Sequence, residues 1–110
     1  MLTKQYRLTK RGSFTFVYNK GLKTHSEFLT LTFVKGKNLK IGFSVPNKVG
    51  KAVVRAKLKR RLRAITRPLI KNLVTAQIVI AAKKGAEELK FDDLKAIVLK
   101  LLKKALLLKE

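Results

Sequence analysis

The 110-residue chain contains no cysteine and no tryptophan, only two prolines and one histidine, and just six carboxylates. Without cysteine there is no disulfide framework, no thiolate nucleophile and no cysteine zinc site. A single histidine, His25, cannot build a His-rich metal centre or a pair of imidazoles for acid–base work. Apolar runs stop at four or five residues, as at Ile78–Ala82, far short of the ~20 needed to span a bilayer. The opening stretch MLTKQYRLTKRG lacks the apolar segment of a signal peptide. A soluble, cytoplasmic protein is expected.

The scarcity of acid is the most restrictive absence. The six are Glu27, Glu87, Glu88, Asp92, Asp93 and Glu110, so Phe28 to Ala86 holds none, against fifteen Lys and Arg. A two-metal nuclease needs clustered carboxylates to hold its cations. Glu87/Glu88 and Asp92/Asp93 are the only pairs, and they flank the start of a predicted helix, where acids suit the N-terminal dipole. If this chain takes part in catalysis, it does not carry the chemistry itself.

What is present is positive charge. Twenty-seven Lys and Arg leave a net +21, a self-repulsion that works against compactness unless a polyanion neutralises it. The partner is therefore nucleic acid, an anionic membrane surface or a strongly acidic protein. An apolar content of 46% is ordinary for a folded chain. The length suits a single domain over 1–110.

Residues 13–19 read as a short helix, with Ser13 as N-cap, Gly21 as stop and Phe14, Val17 and Tyr18 on one face. Strands are expected over 28–34 and 39–45, joined by the turn 35–38, and over 77–82, a continuous apolar run. The second and third are separated by a helical pattern over about 52–73, which implies a crossover and parallel pairing. A last helix is expected from Asp92 to Lys109. Its buried stripe is Leu94, Val98, Leu101, Ala105 and Leu108, widened by Ile97, Leu102 and Leu106.

Lys48 to Lys71 carries ten cations. At 100° per residue, Val54, Leu58, Leu62, Ile65 and Leu69 fall within a stripe of about 80°, and Arg55, Lys57, Lys59, Arg60, Arg61, Arg63 and Arg67 cover the rest. Arg55, Lys59, Arg63 and Arg67 stack like charges at i, i+4 with no acid to relieve them. A merely solubilising face would mix signs, and Arg pairs bidentately with phosphate. Polyanion binding is the reading. Pro68 should end or kink the helix near Arg67.

At these residues the sequence resembles the protein component of bacterial ribonuclease P. That family's signature helix reads Arg-Asn-Arg, two residues, Lys-Arg, two more, Arg, and Arg55-Ala56-Lys57-Leu58-Lys59-Arg60-Arg61-Leu62-Arg63 fits the frame. The approach Gly42 to Val53 is similar as well, as is Arg7-Leu8 followed by Phe14, Val17, Tyr18 and Gly21. The resemblance implies an α+β sandwich, ribosomal-protein-S5-domain-2-like, of order α-β-β-β-α-β-α. Its crossover around the basic helix would be left-handed, against the usual rule.

The resemblance also implies a role as the non-catalytic protein subunit of an endoribonuclease. The RNA subunit would be the catalyst, using magnesium to remove the 5′ leader of precursor tRNA, with no membrane involved. RNA-binding positions would be Lys48, Arg55, Lys57, Lys59, Arg60, Arg63 and Arg67. A leader cleft would use Phe14 and Tyr18, whose rings can stack on bases, and Leu31, where the family has an aromatic. Two departures stand out: Ala56 replaces the signature Asn, and Lys57 the second signature Arg, losing its bidentate fork. The residues alone leave open a general nucleic-acid-binding module without a role in cleavage, and a cationic membrane-active protein.

Overall fold

A computed structural model describes residues 6–8 and 11–109. Residues 1–5, part of the opening stretch read above, lie outside them. Helix α1 spans Arg11–Lys20, β1 Leu22–His25, β2 Leu29–Lys35, β3 Lys40–Ser44, α2 Ala52–Thr66, β4 Ala76–Ala82 and α3 Phe91–Lys104. This is the α-β-β-β-α-β-α order that the resemblance implies. Among the described residues, no helix is long and apolar enough to cross a membrane.

The strands form one sheet in the order β1-β2-β4-β3. Strand β4 pairs with β2 antiparallel, Leu31 opposite Ile80, and with β3 parallel, Ile41 beside Ile78. The expected parallel pairing across the basic helix is present. Strand alternation then sorts the side chains into two layers. Leu29, Leu31, Phe33, Ile41, Ile78 and Ile80 face α2 and α3 and join Leu58, Leu62, Ile65, Leu94, Val98, Leu101 and Leu102 in the main core. Fully burying one such side chain contributes roughly 1.5–3 kcal/mol. Val79 faces the other way, where Val17 of α1 and Leu8 cover it and Phe14 and Val34 close the edge.

Helix α1 starts two residues before the expected Ser13 cap, so Ser13 lies inside it. It stops where expected, because a Cβ at Gly21 would lie 2.8 Å from Thr32 Cγ2 and 2.9 Å from the Phe33 carbonyl oxygen on β2. Only glycine lets the chain turn from α1 into the sheet so closely. Strand β1 was not legible from the residues. Its four residues are mostly exposed and hold their conformation by pairing with β2.

Helix α2 buries Leu58, Leu62 and Ile65 as expected, and Pro68 acts where it should. With no N–H to continue the ladder, the chain tightens into a 3-10 turn over Arg67–Asn72. Val54 departs from the expected stripe. It sits in the first turn of α2 and is 36% exposed. Helix α3 ends five residues before the expected Lys109. Leu106 adopts φ 60° and reverses the chain. The tail then pairs with residues 72–74, through Val74 N–H to the Leu107 carbonyl at 2.7 Å and Lys109 N–H to the Asn72 carbonyl at 2.6 Å. This buries Leu107 and leaves Leu106 in solvent.

Candidate nucleic-acid interface

The stripe Arg55, Lys59 and Arg63 repeats every four residues and therefore runs along one edge of α2. Arg55 is only partly exposed, and its Nε donates to the Gly50 carbonyl at 3.1 Å, which holds the side chain along the loop leading into the helix. Lys59 and Arg63 reach across the outer edge of β3 toward α1. There they line a cleft of about 230 Å³ with Arg7, Leu8, Phe14, Ile41, Gly42 and Phe43.

The position of Phe14 follows from a missing side chain. Its ring lies on Gly42, where a Cβ would come within 2.6 Å of the ring. Phe14 is half-buried, so it packs against Leu8, Val17 and Val79 and still forms a cleft wall. It serves both as packing and as part of the cleft wall. Tyr18, one turn further along α1, is 37% exposed. The cleft thus combines aromatic surface, an apolar floor and three cations, with no carboxylate in its lining. Arg can pair bidentately with a phosphate, while Phe14 offers a face to a base.

Leu31 does not belong to this site. It is fully buried, opposite Thr24 of β1, on the sheet face that meets α2 and α3. Strand period two puts its neighbours Thr30 and Thr32 on the α1 side instead. The third position expected in the cleft is therefore a core residue, and the aromatic lining is Phe14 and Phe43, with Tyr18 exposed one turn along α1 outside the lining.

The remaining predicted cations spread over the exposed side of α2. Lys57, Arg60 and Arg67 are exposed, and Lys48 is exposed on the 3-10 turn Asn47–Val49. Ala56 is exposed among them. Lys57 lies on the far edge, beside a second cavity of about 360 Å³ shared with Val53, Val54, Leu58, Arg61 and Glu87. Arg61 has a structural bond, Nη1 to the Leu89 carbonyl at 3.3 Å, tying α2 to the turn before α3. Two cleft residues, Arg7 and Phe43, were not singled out from the sequence. Arg7 comes beside the sheet through a bridge to Ile41. Phe43 is half-open because β3 is the last strand of the sheet. Both facts need the strand order. Among the described residues, no group of three His, Cys, Asp or Glu could hold a metal ion.

The fold and the site define a class, that of small α+β proteins with a cation-walled, aromatic-sided cleft beside a basic helix. Comparison with known proteins gives the family. The model of the family Ribonuclease P matches residues 2–106. The ribonuclease P protein component of Streptococcus equi subsp. zooepidemicus is 32% identical over 111 residues, covering 99% of this chain and 93% of that protein. The component of a Geobacter species is 43% identical over 94 residues, covering 83% and 80%. Among solved structures, the RNase P protein of Staphylococcus aureus superposes with a TM-score of 0.90 at 24% identity, covering 96% of this chain and all of that one, a likeness of fold. That of Thermotoga maritima gives 0.81 at 30% identity, covering 89% and 96%. The chain belongs to the ribonuclease P family, that of the protein components of this ribonuclease.

Proposed function

We propose that this chain is the RNA-binding, non-catalytic subunit of a ribonuclease P ribonucleoprotein, aiding removal of the 5′ leader from precursor tRNA. In this reading Lys48, Arg55, Lys57, Lys59, Arg60, Arg63 and Arg67 bind RNA phosphates, and Phe14 and Tyr18 stack on unpaired leader bases. The observation that carries the reading is the meeting of Phe14 with Lys59 and Arg63 around one cleft in a chain of this family. An unpaired strand is an alternation of aromatic bases and phosphates, and the cleft offers a partner to each. Arg7 and Phe43 extend the same surface. Magnesium enters with the RNA partner, which supplies the catalytic groups. This chain orients the leader and neutralises phosphate charge near the scissile bond, lowering the magnesium the RNA needs. The protein acts in the cytoplasm, where its substrate is made.

The test is reconstitution. A bacterial ribonuclease P RNA and a precursor tRNA are assayed at low magnesium with and without the protein. Stimulated 5′ cleavage is expected. Tight RNA binding without stimulation would favour a general nucleic-acid-binding module, which the exposed Ala56 in place of the signature Asn would help to explain.

A further inference from the structure

Helix α1 has a second aromatic surface, on the side away from the cleft. With Phe14 at zero and 100° per residue, Val17 falls at about 300° and Tyr18 at about 40°, while Phe16 falls at about 200°. Accordingly Val17 is buried and Phe16 is 47% exposed. A helical side chain leans toward the N-terminus, over the residues three and four before it. For Phe16 these are Ser13 and Gly12, and Gly12 has no side chain to cover the ring. Lys20 lies one turn beyond it, and Thr15 and Asn19 border it.

The surroundings select the occupant. Residues 1–26 contain six Lys and Arg and no carboxylate, so the partner is anionic. A membrane-surface helix needs a broad apolar face. This side of α1 offers a single ring among Gly12, Thr15, Asn19 and Lys20, too little to hold a bilayer. One open aromatic face, one amide and one ammonium match one unpaired nucleotide, with its base on Phe16 and its phosphate at Lys20.

We infer that Phe16 and Lys20 form a second RNA contact, on which an unpaired nucleotide of the ribonuclease P RNA stacks. The inference rests on the reading above, which places the leader at Phe14, Lys59 and Arg63. The leader therefore occupies the opposite side of α1, and the nucleotide at Phe16 comes from the ribozyme.

The chain has no tryptophan, so Phe16→Trp creates a fluorophore that reports this site alone. The variant is titrated separately with ribonuclease P RNA, with precursor tRNA and with phosphatidylglycerol vesicles. Quenching by the ribozyme RNA is expected. Phe16→Ala should weaken binding to that RNA roughly 5- to 150-fold, the loss of one stacked base, with an unchanged salt slope, since stacking releases no counterions. Lys20→Ala should lower the slope. Emission that stays constant while ribozyme RNA binds would overturn the inference, as would quenching by precursor tRNA or vesicles alone. The two readings fail separately. A protein that stimulates cleavage with a silent Trp loses only the second contact, whereas one that neither binds nor stimulates the ribozyme RNA loses both.

Discussion

Leu106 combines two unfavourable features that a single substitution removes. Its φ of 60° places a β-carbon in the left-handed region, which costs about 1–2 kcal/mol for an L-residue. Its side chain is 76% exposed, so little packing compensates. Leu106→Gly should therefore raise stability by about 1 kcal/mol, seen as an upward shift of about 4 °C or more in the thermal midpoint. A lower midpoint would mean that the leucine packs more than its exposure implies. At Ala56 the expectation concerns function. The residue is exposed on the cationic side of α2, so an asparagine can enter without disturbing the core. Asn is a poorer helix former by roughly half a kcal/mol, whereas a hydrogen bond to a phosphate returns about 1.5–3 kcal/mol in a complex. Ala56→Asn should slightly lower the thermal midpoint and raise ribozyme-dependent cleavage, most at low magnesium. Equal rates throughout a magnesium titration would make Ala56 a neutral replacement.

Within α2 the division between core and surface is sharp enough to separate binding from folding. Leu58, Leu62 and Ile65 are buried, whereas Arg60 is exposed and Arg63 is only partly covered as it lines the cleft. Replacing Arg60 and Arg63 together by Ala, the best helix former, should keep cooperative unfolding within a few degrees. The same change should weaken RNA binding and lower the magnitude of the salt slope by about 1.5–2, for two lost phosphate contacts. Collapse of cooperative unfolding would show that these arginines support the fold. Helix α2 was legible because its apolar period, its acid-free cationic face and Pro68 all act locally. So were β3 and β4, whose apolar runs need a crossover to lie side by side. Strand β1 was not, since Leu22–His25 has neither alternation nor burial of its own. The tail read as helix because no Gly or Asn announces the reversal at Leu106. Of the site, the Arg55, Lys59, Arg63 stripe and Phe14 could be placed from spacing and resemblance. Arg7 and Phe43 required the strand order, and Leu31 was misplaced because a resemblance carries over a position in the sequence and not the face of β2 that the position presents.

For the whole molecule the governing quantity is a net charge of +21 on a body with a radius of gyration of 12.8 Å. A globular chain of this length is expected near 13 Å, so the fold is compact in spite of its charge. The two apolar layers either side of the sheet hold it together, and the repulsion remains as a driving force for binding. In the proposed complex, cations on α2, on the loop before it and around the cleft would each replace counterions condensed on phosphates. If about six to eight phosphates are neutralised, affinity should fall about 10³- to 10⁵-fold between about 50 and 200 mM monovalent salt. The gradient should be similar for RNAs of different sequence, because phosphate contacts carry no base information. Stability should respond oppositely, since salt screens self-repulsion in the free protein, and the thermal midpoint without RNA should rise over the same range. Binding titrations and unfolding scans in one salt series test both effects. A nearly flat plot of log affinity against log salt would remove electrostatics as the basis of binding, and would leave the acid-free face of α2 without a function.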